Sequence, residues 1–233
     1  MKKEEITIAG RTCHIYAEGQ PLFLLVQPSD DHEMEELQNE ADIIAGSCSD
    51  FLLCIMRIDD WNEELSPWDA PPVFKDRGFG HGASRTLEYI EHALIPELKR
   101  AFGLCDDIPV ILGGYSLAAL FALWSAYQTD RFAAVSTASP SVWFPGWIEY
   151  AASHPVQSRH VYLSLGKKEE KTRNQVMAQV GNCIRRQKEL LSDIDCELEW
   201  NEGNHFCDAA LRSAKGFVWC IHTMESLPDA GRK

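Results

Sequence analysis

Nowhere in the 233 residues does an apolar run approach the roughly 20 residues of a membrane-spanning helix; the stretch Phe51 to Ile58 is far too short. Basic charge is scarce as well. Against 35 Asp and Glu there are 22 Lys and Arg, a formal net charge of -13. Surfaces for nucleic acid or anionic lipid need clustered Lys and Arg to displace counterions, so neither partner class is expected. The start, Met1-Lys2-Lys3-Glu4-Glu5, runs into alternating polar and apolar residues without the apolar core of a secretory signal, which points to a cytoplasmic protein. No C-x-x-C pair occurs, and no cysteine has a histidine at zinc-ligand spacing. The eight cysteines, Cys13, Cys48, Cys54, Cys105, Cys183, Cys196, Cys207 and Cys220, are scattered and read as free thiols packed like small hydrophobes. Repeats, low-complexity tracts and linkers are also missing, so residues 1–233 are expected to form one domain.

What is present is an alternation of buried strands and helices. Glu5 to Ile8 and Thr12 to Tyr16 alternate polar and apolar residues around Ala9-Gly10, an opening hairpin at a sheet edge. Leu22 to Gln27, Phe51 to Ile58 and Pro109 to Gly113 are short apolar runs of the kind buried on both faces. Phe132 to Ser136, His160 to Leu165 and Cys196 to Trp200 read as further strands. Helical patterns fill the intervals: an acidic segment to about Ala45, Ala83 to Phe102 with a bend at Pro96, Leu117 to Tyr127, Lys171 to Leu191 and Cys207 to Met224. Asp59 to Gly82 carries too many prolines and glycines for a regular element, and a long loop of this kind is expected to wall a binding cleft. Strands and helices in this order specify a mostly parallel sheet covered on both faces, with its site beyond the carboxyl ends of the strands.

One strand-to-helix junction carries the chemistry. In Ile111-Leu112-Gly113-Gly114-Tyr115-Ser116-Leu117-Ala118, a serine stands between a buried strand and an apolar helix, with small residues two before and two after it. A nucleophile elbow needs this spacing, because strand and helix backbones must approach closely across a strained serine. Ser116 is thereby placed at a helix N-terminus, where the backbone N–H of Leu117 can bind an oxyanion. Read blandly, Ser116 is an N-cap in a structural turn. Gly113 to Trp124, together with Ser139-Pro140-Ser141-Val142-Trp143 and Ser164-Leu165-Gly166 through Arg173-Asn174, resembles the putative-esterase family, which groups esterase-D-like enzymes, siderophore esterases and mycolyl transferases. The resemblance runs from about Leu22 to the last helix. It implies an α/β-hydrolase fold and carboxylic-ester hydrolysis or acyl transfer, with no metal or organic cofactor.

A serine needs a base, and histidine titrates in the useful range. In this fold the order is Ser, then Asp or Glu, then His, with the histidine in the loop after the last strand. His205, between the strand Cys196 to Trp200 and the closing helix, fits, and its Gly-x-His-Phe context resembles that of the family's catalytic histidine. His14, His32, His81, His92, His160 and His222 are worse placed. The acid belongs after His160 to Leu165, which offers Glu169 and Glu170; the Gly-x-x-Glu pattern of similar esterases implies Glu169. Alternatively, both carboxylates are solvated charges at a helix start. A second oxyanion donor is expected from the backbone of Ser29 or Asp30, although no glycine-rich signature marks them.

Trp61, Trp68 and Trp143, with Phe144 and Trp147, follow strands and are candidate walls for a small-molecule ester; equally, they pack loops onto the body. Arg77 and Arg85 are candidates for an anionic substrate group. The short stretch from Pro140 to Arg159 leaves no room for a large cap. Acyl transfer through the same intermediate, or a binding module that kept the fold without turnover, are the competing functions. A siderophore trilactone would suit the family, yet so acidic a chain shows no basic pocket for it.

Overall fold

The computed structural model describes residues 1–30, 34–73 and 77–226; His32 falls outside them. Eight strands form one sheet in the order β1-β2-β4-β3-β5-β6-β7-β8. They are β1 Lys2–Ile8, β2 Arg11–Glu18, β3 Phe23–Ser29, β4 Phe51–Arg57, β5 Val110–Tyr115, β6 Ala134–Ala138, β7 His160–Gly166 and β8 Asp195–Asn201. The opening hairpin is antiparallel and lies at the edge, β2 also pairs antiparallel with β4, and every later pairing is parallel. Its turn uses Ala9 and Gly10 at φ 46° and 88°, the left-handed pair that matches strand twist. The strand predicted from Phe132 begins two residues later, at Ala134.

The helices are α1 Met34–Ala45, α2 Trp61–Leu65, α3 Ala83–Tyr89, α4 Ile95–Phe102, α5 Leu117–Gln128, α6 Trp147–Ser153, α7 Val180–Leu190 and α8 Ala209–Glu225. On one face α1 and α8 bury Leu37, Ala41, Ile44, Phe217 and Ile221 against Phe23, Leu25, Leu53 and Ile111. The other face is closed by a larger cluster that includes Leu94, Leu98, Leu120, Phe121, Trp147 and Ile184. All residues of α5 from Leu117 to Tyr127 are buried, which explains why that segment is apolar all round rather than on one stripe. This is the α/β-hydrolase fold without a large cap. Among the described residues, no helix is long and apolar enough to cross a membrane.

Four elements depart from the sequence reading. Between α3 and α4 the helix widens into a π turn at Ile90–Leu94. Pro96 lacks an N–H and crowds the carbonyl four residues back, and the wider turn absorbs both defects without breaking the helix. The predicted helix Lys171 to Leu191 is regular only in its second half. Asn174 Oδ1 accepts the N–H groups of Val176 and Met177, while its Nδ2 donates to Val73 O at 2.6 Å, so this side chain substitutes for helix in the first half. The breaker-rich stretch from Asp59 to Gly82 holds the short α2, capped by Asp60 accepting from Glu63 N, and an isolated bridge between Ala70 and Phe79. Helix α6, absent from the sequence reading, forms the compact insertion after β6.

Candidate active site

The central strand β5 delivers Ser116 at the carboxyl end of the sheet. Ser116 has φ 58° and ψ -117°, a sparsely populated conformation for any residue but glycine. Neighbours hold it there: its N–H donates to Ala138 O at 3.1 Å and its carbonyl accepts from Ser141 N at 3.1 Å. A Cβ on Gly114 would lie 2.5 Å from the backbone carbon of Ala118, so the turn closes only around glycine.

His205, in the loop after β8, points Nε2 at Ser116 Oγ, 3.0 Å away. Its Nδ1 lies 2.8 Å from Glu169 Oε2. Glu169 follows β7 in a short 3-10 turn, and its loop is tied to that of His205 by Lys167 N–H to Asn201 O at 2.9 Å and Lys168 N–H to Gly203 O at 3.0 Å. The structure therefore brings Ser116, His205 and Glu169 into one hydrogen-bonded line from positions far apart in the chain. Glu170, the alternative acid, turns outward to Arg185 at 3.4 Å.

Burial pushes the Glu169 carboxyl up, but hydrogen bonds from His205, Ser139 and Gly166 outweigh it and hold the group below its ordinary value. An ionised Glu169 only accepts, which assigns the proton on His205 to Nδ1 and leaves Nε2 to accept from the serine hydroxyl. Oε2 serves His205; Oε1 takes Ser139 Oγ at 2.7 Å, Gly166 N at 2.7 Å and Arg212 Nη1 at 3.0 Å. Tyr115 donates its hydroxyl to His205 O at 2.6 Å, and burial pushes that phenol up to about 12. Sequence reading missed Ser139, Tyr115 and Arg212. The first lies in the quoted Ser139-Pro140 motif and the second adjoins the serine, but nothing local marks an arginine on α8.

Leu117 N opens α5, one of the helix N–H groups with no partner inside the helix. Strand β3 pairs with β5 from Leu24 opposite Val110 to Val26 opposite Leu112, and it ends at Ser29.

A cavity of about 260 Å³ adjoins the triad, lined among others by Trp143, Lys168, Lys171, Met177, His205 and Phe206. Phe206 is 88% exposed at its rim. Trp61 and Trp68 do not line it. Trp68 donates its indole N–H to Pro145 O at 2.9 Å and packs edge-on against Phe144, while Trp61 packs on the core at the start of α2. Phe144 and Trp147 are buried. Arg77 and Arg85 pair with Asp60 and Glu63 at the surface and do not line this cavity. Lys168 and Lys171 instead give this acidic chain a basic wall that composition concealed.

The model of the family described as putative esterase matches residues 39–206, well over half of the chain. Among solved structures, the siderophore hydrolase EstA from Aspergillus nidulans is similar at 17% identity, with TM-score 0.73 over 97% of this chain and 95% of that one. The BES protein from Bacillus cereus is similar at 18% identity, with TM-score 0.66 over 94% and 95%. The enterobactin esterase FES from Shigella flexneri is similar at 15% identity and TM-score 0.70, covering 96% of this chain but 60% of its own. No curated protein matches the sequence. By the extent of the family match, with the fold in agreement, the chain belongs to the putative-esterase family of carboxylic-ester hydrolases.

Proposed function

We propose that this chain is a serine esterase that works through an acyl-enzyme on Ser116. The carrying observation is the line of contacts from Ser116 Oγ to His205 Nε2, 3.0 Å, and from His205 Nδ1 to Glu169 Oε2, 2.8 Å. In the first half-reaction Ser116 Oγ attacks the ester carbonyl as its proton passes to Nε2; the oxyanion is held by the backbone N–H of Leu117 with that of Ser29 or Asp30. Collapse breaks the C–O bond, and the leaving alkoxide takes the proton from Nε2. Water then repeats the sequence on the acyl-enzyme, giving its proton to His205 as it attacks, and Ser116 is returned with the carboxylic acid released. The His205 side chain is 24% exposed, so water has access to the base for the second half-reaction.

A cavity of about 260 Å³, at about 30 Å³ per water, suits a short acyl or aryl group, and Lys168 and Lys171 suit a substrate that carries negative charge. The similar proteins named as siderophore hydrolases make a siderophore ester one substrate worth testing. All eight cysteines are free, in keeping with a cytoplasmic location. The test is a series of p-nitrophenyl esters of graded chain length, run with Ser116→Ala and a fluorophosphonate probe. Short chains should turn over fastest, the probe should label Ser116, and the variant should lose at least about 10⁴-fold in kcat. Full activity in Ser116→Ala would sink the reading.

A further inference from the structure

One buried cation has no part in the reaction as written. Arg212, on the first turn of α8, is 1% exposed. Burying a guanidinium is unfavourable unless its N–H groups find acceptors. Nη1 donates to Glu169 Oε1 at 3.0 Å, to Ser139 Oγ at 3.2 Å and to Tyr115 OH at 3.3 Å, while Nη2 donates to Glu202 O at 2.6 Å; Nε has no partner among the described residues. A plain ion pair would need Glu169 alone. These acceptors come from the end of β5 and the loops after β6, β7 and β8, the segments that carry Ser116, Glu169 and His205 or brace them. Tyr115 adds a second link, donating to His205 O at 2.6 Å.

We propose that Arg212, with Tyr115 as its link to His205, is the positioning residue of this active site: its planar fork fixes Glu169 and the base-bearing loop, and its charge limits how strongly the carboxylate holds a protonated imidazole. This rests on the serine-esterase reading. Arg212 and Glu169 cancel in charge while His205 is neutral, so protonating His205 leaves the site with a net positive charge. Without Arg212 the same protonation would neutralise the site, and the carboxylate would hold the imidazolium more strongly. The other groups facing His205 do not supply this balance. Tyr115 is neutral, Ser116 is uncharged, and the Lys168 and Lys171 ammonium groups and the Glu202 carboxylate are exposed, where solvent screens them.

The experiment measures kcat, KM and fluorophosphonate labelling against pH for the wild type, Arg212→Gln, Arg212→Lys and Tyr115→Phe, with thermal melts to confirm folding. In Arg212→Gln, kcat should fall about 100-fold, KM should stay within about threefold, and the acid limb of kcat/KM should move up by roughly one pH unit. Arg212→Lys keeps the charge but loses the fork, so its acid limb should stay in place while kcat falls about tenfold. Tyr115→Phe should lower kcat about fivefold without moving the limb. A folded Arg212→Gln with the wild-type acid limb overturns the proposal. Should that variant not fold, wild-type kcat in either Arg212→Lys or Tyr115→Phe overturns it. Absence of Ser116 labelling in the wild type would instead refute the esterase reading beneath it.

Discussion

Replacing Glu169 by Gln tests the acid and the architecture around it together. The carboxylate is 4% exposed and meets four donors, two of them from charged or chargeable partners, His205 at 2.8 Å and Arg212 at 3.0 Å. An amide is neutral, and its NH₂ can face only donors here. Turned toward His205, the NH₂ forces the ring proton onto Nε2, where it can no longer accept from Ser116; in an analogous triad this tautomer error costs about 10⁴ in kcat. Turned the other way, the NH₂ meets Arg212, Ser139 and Gly166, all donors to Oε1. In either orientation Arg212 loses its counter-charge, and breaking a buried pair from one side costs about 3–5 kcal/mol. At about 2–4 °C per kcal/mol for a chain of this size, Tm should drop by at least roughly 6 °C. Glu170→Gln is the control: its partner Arg185 lies 3.4 Å away and is half exposed, so both Tm and kcat should hardly move. Melting curves and p-nitrophenyl ester kinetics on the two variants read both effects. If Glu169→Gln kept kcat within twofold while Glu170→Gln lost activity, the acid would be misassigned and the reasoning refuted.

Because the Glu169 carboxyl is held below its ordinary value in the folded chain, it adds stability above the unfolded value of about 4.3; that contribution is lost as pH falls through the lower folded value. Urea unfolding from pH 7 to pH 3 should therefore show a shallower acid loss in Glu169→Gln than in wild type, and equal slopes would refute this. Gly114→Ala places a methyl 2.5 Å from the Ala118 backbone, so roughly 1–3 kcal/mol of stability and most turnover should be lost; a wild-type melt would show the elbow is looser than described. Trp143→Ala should change relative rates across the ester series because Trp143 lines the cavity. Trp68→Ala should lower Tm by several degrees with those ratios intact, and the reverse pattern would reassign the wall.

The sheet was legible because its strands carry their own evidence. Phe51–Arg57 and Val110–Tyr115 are apolar without alternation, which only burial on both faces explains. The elbow was legible for a local reason too, since the close approach of two backbones restricts residue size within five positions. What the sequence did not disclose depends on partners from elsewhere in the chain. Asn174 breaks a helical pattern by bonding to Val73 O, about a hundred positions away, and Trp68 turns from the cavity because Pro145 O offers its indole an acceptor. Arg212 sits in a helix of ordinary amphipathic pattern, and only the three-dimensional meeting of four loops distinguishes it from a solvated arginine.

That meeting also bears on why a strained serine persists. Ser116 at φ 58° costs on the order of 1–3 kcal/mol, and Ser139, at φ 48°, adds a second such residue in the adjoining loop. Each is pinned: Ser116 by Ala138 O and Ser141 N, Ser139 by an N–H bond to Ser164 O at 3.0 Å and by a hydroxyl bond to Glu169. With a net contribution near 1 kcal/mol per hydrogen bond, these contacts are of the size needed to offset both strains. The loop at Ser139 thus joins the two problems, holding the nucleophile's turn through Ala138 and Ser141 while donating to the acid that orients the base. Strain at the nucleophile and ionisation of the acid are maintained by one connected set of bonds, so a change that loosens either should be felt at the other.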